Sequence, residues 1–289
     1  MPIHQSESAS ILRETLRNWQ NDRGGRLGAA LAYYMALSLA PALVIVLAAA
    51  GWAFGAKAAA GDLVGQIRGW VGDDGAKVIE TIIAAANRPS RGLLATLLGL
   101  VTLFLGATAV VDEMRDALNL IWKVPNPESA GTARTILNQA KERFTSFALV
   151  VGFGLLLLAS MLLNVVVTVS GARLGLVRVP PPSYLRFVDE GIALMVVAAV
   201  IAVIFKVLPE LPLRWSDVAV GAVCTAAMLA VGKFVLAIYL AKAGFTDTYG
   251  AAGSFVVLLV WIYYSAQIFY LGAEFTQVYT RRLGSLRGF

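Results

Sequence analysis

The stretch "SFVVLLVWIYYSAQIFYLGAEF", residues 254–275, decides the fold. It is an almost unbroken apolar run, and about 20 such residues carry an α-helix across the hydrocarbon of a bilayer. Two polar groups interrupt it, Gln267 near its middle and Glu274 near its end. Working outward, the rest of the chain has the same character. Of its 289 residues, 58% are hydrophobic and only 15% are charged, with a mean hydropathy of +0.72. A soluble domain carries about 25% charged residues. The composition therefore predicts an all-α, polytopic membrane protein.

Six runs have the length and character of spans, at about 28–54, 91–111, 147–170, 188–208, 217–240 and 251–276. They make one membrane domain over 28–276, between a polar N-terminal tail (1–27) and a C-terminal tail (277–289). An even number of spans puts both tails on one side. Fourteen Lys and Arg residues fall in the tails, in the 112–146 loop and beside the 209–216 loop, against nine on the other side. The positive-inside rule then places both termini in the cytoplasm. This distribution accounts for the net charge of +6 without a nucleic-acid partner.

The long loops carry short amphipathic helices. Over 131–147, Ile136, Leu137, Ala140, Phe144 and Phe147 recur at helical spacing, as in a helix lying in the membrane interface. Over 56–87, two short apolar-striped helices are expected, broken at "GDDG" (72–75). In the second span Gly92, Gly99 and Gly106 stand seven apart, with Ala95, Thr102 and Ala109 three residues after each. Such a small-residue seam lets backbones approach closely in lipid, which places this helix at the centre of the bundle.

Ionisable and amide groups inside spans are the functional candidates. Lys233 lies deep in the fifth span, where it either lines a cavity or snorkels outward. Asn164, in the third span, sits at a similar height. Gln267, with Tyr263 and Tyr264, is near mid-membrane, either as interhelical glue or as part of a cavity. In the first span Tyr34 and Ser38 flank Pro41, which is expected to kink the helix. Glu274 is close to the cytoplasmic interface, within reach of Lys206, Arg115 or Arg143, and reads first as a structural anchor. Glu113 and Asp116, just past the second span, are either water-facing loop acids or part of a site. Ala29, Ala32, Ala36 and Ala40 form a small-residue face suited to a homodimer.

The motif inventory excludes several classes. One histidine, His4, and one cysteine, Cys224, are too few for a zinc site of the usual N/S type. No phosphate-cradling GxxxxGK[ST] occurs, and no GxSxG. The expectation is a non-enzyme without cofactor, whose partners are the bilayer and a lipid or small-molecule substrate.

Four stretches carry a family resemblance: "AYYMALSLAP" (32–41), "DALNLIW" (116–122), "GAVCTAAMLAVGKFVLAIYL" (221–240) and "YGAAGSFVVLLVWIYYSAQIFYLGAEF" (249–275). Together they resemble the YihY/virulence factor BrkB family. The family pattern carries over to Tyr34, Ser38 and Pro41, then to Asp116, Asn119 and Trp122. It continues through Lys233 and Tyr239 to Tyr249, Gly250, Trp261, Tyr263, Gln267 and Glu274. The resemblance implies a six-helix bacterial inner-membrane protein from a family once labelled ribonuclease BN. Nothing in these residues provides a nuclease metal cluster. The family's link to serum resistance and lipid-related phenotypes points to envelope transport, with a non-transporting envelope scaffold as the alternative.

Overall fold

The computed structural model describes residues 3–54, 56–86, 93–124, 182–243 and 253–287, and there it is helical with short connections. The expected third span with Asn164, the interfacial helix over 131–147 and Arg143 lie outside the described residues. The helices are α1 (Ile3–Asn21), α2 (Gly24–Phe54), α3 (Ala56–Ala86), α4 (Leu93–Ile121), α5 (Pro182–Val207), α6 (Trp215–Ala243) and α7 (Gly253–Arg282). Among the described residues, Trp215–Leu240 and Gly253–Arg282 are long and apolar enough to cross a membrane, and Ala193–Val207 is a shorter apolar stretch.

The opening stretch forms most of α7, the hub of the described bundle: it packs against α1, α2, α3, α4 and α6. Its first half buries one face, with Val257, Leu258, Ile262 and Ala266 inward and Phe255 and Tyr263 exposed, and from Phe269 to Thr280 the buried residues go right round the helix. Such all-round burial is what separates a central helix from one with a single packed stripe. Among the described helices the most widely packed is thus α7 rather than α4, which packs chiefly on α2. One element of the α4 seam is visible. A Cβ on Gly106 would stand 3.1 Å from the Cβ of Ser38, so glycine lets α4 lie close to α2 there.

The tightest contact joins α6 to α7 through a reciprocal notch. A Cβ on Gly221 would fall 1.9 Å from Thr276 Oγ1, and a Cβ on Gly272 would fall 2.0 Å from Thr225 Oγ1. Each helix thus offers Gly-x-x-x-Thr, and each threonine fills the notch opposite the other helix's glycine. The hydroxyls do not cross the interface. Thr225 donates to the Gly221 carbonyl at 2.7 Å and Thr276 to the Gly272 carbonyl at 2.6 Å, so neither buried hydroxyl is orphaned. Small residues are the usual solution where lipid removes the hydrophobic drive for helix association.

Two elements differ from expectation. The N-terminal tail contains a full helix, α1. Ile11 and Thr15 are buried along its inner stripe, and Arg282 ties it to the end of α7 by donating to Ser10 at 2.7 Å and pairing with Glu14. The 56–86 segment forms one helical element, α3, instead of two. It nevertheless bends at the expected place. Arg68 reaches Glu80 at 2.8 Å, whereas a straight helix would separate the two by about 18 Å. Gly72 and Gly75 lie inside that interval, and burial of Ala76, Ile79 and Ile83 holds the second arm. Helix α2 also continues through Pro41.

Candidate functional site

The candidate residues on α7 divide between two neighbours. Gln267 and Tyr263 face α2: a Cβ on Gly28 would stand 2.9 Å from Gln267 Cγ, and one on Gly25 would stand 3.7 Å from the Tyr263 hydroxyl. Tyr264 faces α6, with its ring 3.1 Å from a Cβ placed on Gly232. Lys233, the next residue of α6, is half-buried, with Nζ 5.1 Å from the centroid of its neighbour Phe234. Tyr264 thus packs beside the residue that precedes Lys233, and Gln267 and Tyr263 form a pair on the adjacent face of α7.

Candidates on the other helices are placed separately. Tyr34 meets Tyr33 edge-on, with centroids 5.6 Å apart. Ser38 donates to the Met35 carbonyl at 3.1 Å, not to the Leu37 carbonyl that Pro41 leaves without its usual donor. Asn119 accepts from the Glu210 backbone N–H at 3.1 Å and so ties α4 to the α5–α6 connection. Gly99 lies within α4. Ala32 of the proposed dimer face packs inward against Leu258 and Ile262, while Ala29 is exposed.

The densest polar arrangement is at the end of the bundle where α1, α4 and α7 meet. Glu274 is 1% exposed. Of the basic neighbours expected for it, Arg143 lies outside the described residues, and Lys206 and Arg115 act elsewhere. Lys206 donates to the Leu213 carbonyl and lies 6.0 Å from the Trp215 ring, while Arg115 acts on Asp116. Glu274 instead faces the carboxyl of Asp22, in side-chain hydrogen-bonding range, with Lys123 as the opposing charge. Lys123 Nζ donates to both Asp22 oxygens, at 2.5 and 2.6 Å. Asp22 stands in the α1–α2 turn and Lys123 just past α4. The sequence reading assigned Asp22 to a polar tail, and only the helical spacing of Ile11, Thr15 and Trp19 hinted that this tail folds back.

Local geometry explains how the two are delivered. After α4, the N–H of Val124 donates to the Asn119 carbonyl at 2.9 Å and that of Lys123 to Leu120 at 3.1 Å. This is a Schellman cap with Lys123 in the left-handed position, φ 55°. Arg23, φ 56°, makes the same kind of turn between α1 and α2. Gly24 follows because the Trp19 indole lies 2.2 Å from where its Cβ would be.

Beyond the apolar part of α4, Glu113 has its carboxyl pushed above the usual value, first by partial burial and then by Asp116, with Arg26 opposing. Asp116 is raised too, by desolvation and then by Asp112, with Arg115 opposing and Glu210 adding to the rise. A separate open groove of about 740 Å³ runs between α1 and Arg282, lined by Arg13, Glu14, Arg17, Asn18 and Asn21.

A bundle of apolar helices carrying the four quoted stretches is the frame into which the comparisons fit. Residues 15–288 match the family described as virulence factor BrkB. The chain belongs to that family. It is similar to a UPF0761 membrane protein of Verminephrobacter eiseniae, 29% identical over 277 residues, covering 93% of this chain and 61% of that protein. A UPF0761 membrane protein of Methylibium petroleiphilum is 28% identical over 287 residues, 92% of this chain and 64% of its own length. One from Photobacterium profundum is 26% identical over 272 residues, 90% and 77% respectively. The chain thus spans less than two thirds of the first two relatives. No solved structure matches it. With its BrkB-family relatives it is a membrane protein.

Proposed function

We propose that this BrkB-family chain is a permease-like protein of the bacterial inner membrane. It has six spans and both termini in the cytoplasm, and it moves a lipid or a small amphiphilic or polar solute. Five of the spans correspond to α2, α4, α5, α6 and α7, and the sixth to residues 147–170. The observation that carries the transport reading is Lys233, a half-buried ammonium well inside the apolar helix Trp215–Leu240, with the Tyr264 ring beside its neighbour Gly232. A charge held there is expensive unless it serves a pathway. Flux of a panel of lipids and polar solutes into proteoliposomes tests this. Lys233→Met is expected to abolish flux while leaving the amount of folded protein unchanged. Protein that alters no flux across the panel refutes the reading.

A second reading, a non-transporting scaffold for an envelope complex, has its own support. Gln267 and Tyr263 each meet a glycine of α2 and Tyr264 meets one of α6, which is what interhelical glue does. It predicts tolerance of both Lys233→Met and Gln267→Leu, and partners that co-purify.

A further inference from the structure

Four buried polar atoms among the described residues have no hydrogen-bond partner: Trp19 Nε1, Trp122 Nε1, Tyr270 OH and Glu274 Oε2. Each such atom costs about 1–3 kcal/mol. They gather at one place in the chain's architecture. Trp19 precedes the α1–α2 turn, Trp122 precedes Lys123, and Tyr270 lies one turn before Glu274 on α7. The two left-handed non-glycine residues among the described ones, Arg23 and Lys123, flank the same place. Backbone held in that region concentrates at functional sites.

The contact between Glu274 and Asp22 gives these features a common reason. Two ionised carboxylates present acceptors only, so a contact at hydrogen-bonding range requires a positive charge within it. Lys123 cannot supply it all. Its ammonium is committed to both oxygens of Asp22, and with both acids ionised the trio has a net charge of −1. Several of the other charged or titratable groups on the helices packed here are engaged elsewhere or act at a distance. Glu113 of α4 acts on Tyr270, Arg26 of α2 acts on Glu113, and Asp217 of α6 accepts from the Ser285 N–H at 3.0 Å. Arg282 is held by Glu14 and Ser10.

We propose that Glu274 and Asp22, with Lys123 as counter-charge, form a binding site for one monovalent cation, a proton or a sodium ion. A proton converts the Glu274 carboxylate to a carboxylic acid whose O–H donates to Asp22. A sodium ion sits between the two carboxylates, where the Glu274 oxygen that lacks a partner is available to it. Either occupant takes the trio from −1 to neutral. Two carboxyls are too few for a dehydrated divalent ion, which takes six or more oxygen ligands or keeps its waters. Access is from the side of Lys123, whose side chain is 45% exposed, while that of Asp22 is 11% exposed. As the coupling-ion site of the transport cycle this rests on the permease reading, but binding is measured without transport.

The test uses the full chain in nanodiscs of neutral lipid. The proton arm is infrared difference spectroscopy across a pH titration, reading the carbonyl band of a protonated carboxylic acid. The sodium arm is the thermal shift in sodium chloride against choline chloride. One arm is expected to respond in the wild type, and Glu274→Gln, whose amide supplies its own donor to Asp22, is expected to abolish that response. Asp22→Asn serves in the same way if the glutamine variant does not fold. Lys123→Gln removes the counter-charge, so the site should bind its cation roughly tenfold more tightly, whereas a purely structural ion pair would only lose stability. A wild type silent in both arms overturns the proposal, as does a response that survives both acid substitutions or a Lys123→Gln affinity that falls. Binding without solute flux would leave the site standing and remove the permease reading, and flux without binding would do the reverse.

Discussion

Replacing Gly272 with alanine is the sharpest probe of the α6–α7 seam. The added methyl would stand 2.0 Å from Thr225 Oγ1, 2.6 Å from its Cγ2 and 2.7 Å from its Cβ, against an ordinary contact of about 3.5–4.0 Å. Thr225 cannot swing aside. It is fully buried, and its hydroxyl holds the Gly221 carbonyl at 2.7 Å. The helices must therefore part locally by about 1 Å or more, a gap that forfeits a quarter to a half of the dispersion well around it. Overpacking of this kind costs about 2–3 kcal/mol, a fall of about 4–12 °C in Tm for a chain of this size. Thermal unfolding in mild detergent, followed by tryptophan fluorescence, reads it. Thr225→Ala removes the two closest atoms and leaves only Cβ. The double variant is thus expected to be more stable than Gly272→Ala alone, although Thr225→Ala by itself destabilises by about 1 kcal/mol. Gly65→Ala, where nothing lies within 4 Å, is the control and should be neutral or stabilising. Strict additivity of the two seam substitutions, or a Tm for Gly272→Ala equal to that of the wild type, would refute the close contact.

Lys123→Met leaves a mostly buried Asp22 without its ammonium. The expected loss is about 1–3 kcal/mol, between the values for exposed and buried pairs, partly recovered by adding Asp22→Asn in the same thermal assay. The Glu113 carboxyl is raised above its ordinary value of 4.5, so the folded chain holds its proton more firmly than the unfolded one. Its favourable contribution is full below that ordinary value and disappears as the pH rises through the raised one. Glu113→Gln should accordingly raise Tm at neutral pH, with the gain vanishing in acid. Gly28→Ala should disturb folding less than Gly272→Ala, because its nearest obstacle, Gln267 Cγ, stands 2.9 Å away against 2.0 Å for Thr225 Oγ1; comparing the two melting curves checks this. A two-chain mass in mild detergent and in nanodiscs is expected for the homodimer, and a lone monomer mass in both rules it out.

The membrane-embedded character was legible because composition alone excludes a soluble chain, and the apolar run placed the start of α7 within two residues, although the helix continues six residues past the expected end. What sequence could not supply was which helix meets which. Gly221, Thr225 and Gly272 stand inside the stretches that carry the family resemblance and Thr276 directly follows one, yet one chain does not reveal that the two glycine notches are each other's complement. The small-residue repeat of α4 was the louder signal, yet among the described helices the hub is α7. Glu274 was matched to basic residues by height along the membrane normal. Its actual neighbours come from a turn and a helix cap, where left-handed Arg23 and Lys123 stand in place of the glycine that usually announces such a cap. The bend in α3 was readable from its glycines. The continuous helical assignment around it was not, because burial of Ala76 and Ile79 outweighs glycine's weak helix propensity.

The position of α7 also has a consequence for how the protein is made. This helix is the last of the described ones to leave the ribosome, and it packs on α1 and α2, the first. Until it is inserted, Ala32 of α2 lacks its Leu258 and Ile262 cover and the described part of α1 lacks its main helical neighbour. The described bundle therefore closes only once α7 has been inserted, and a nascent chain stopped before residue 253 is a membrane intermediate with earlier helices unsheltered. Such a product is a ready substrate for membrane proteases, so stalled or truncated copies should be cleared while finished chains persist.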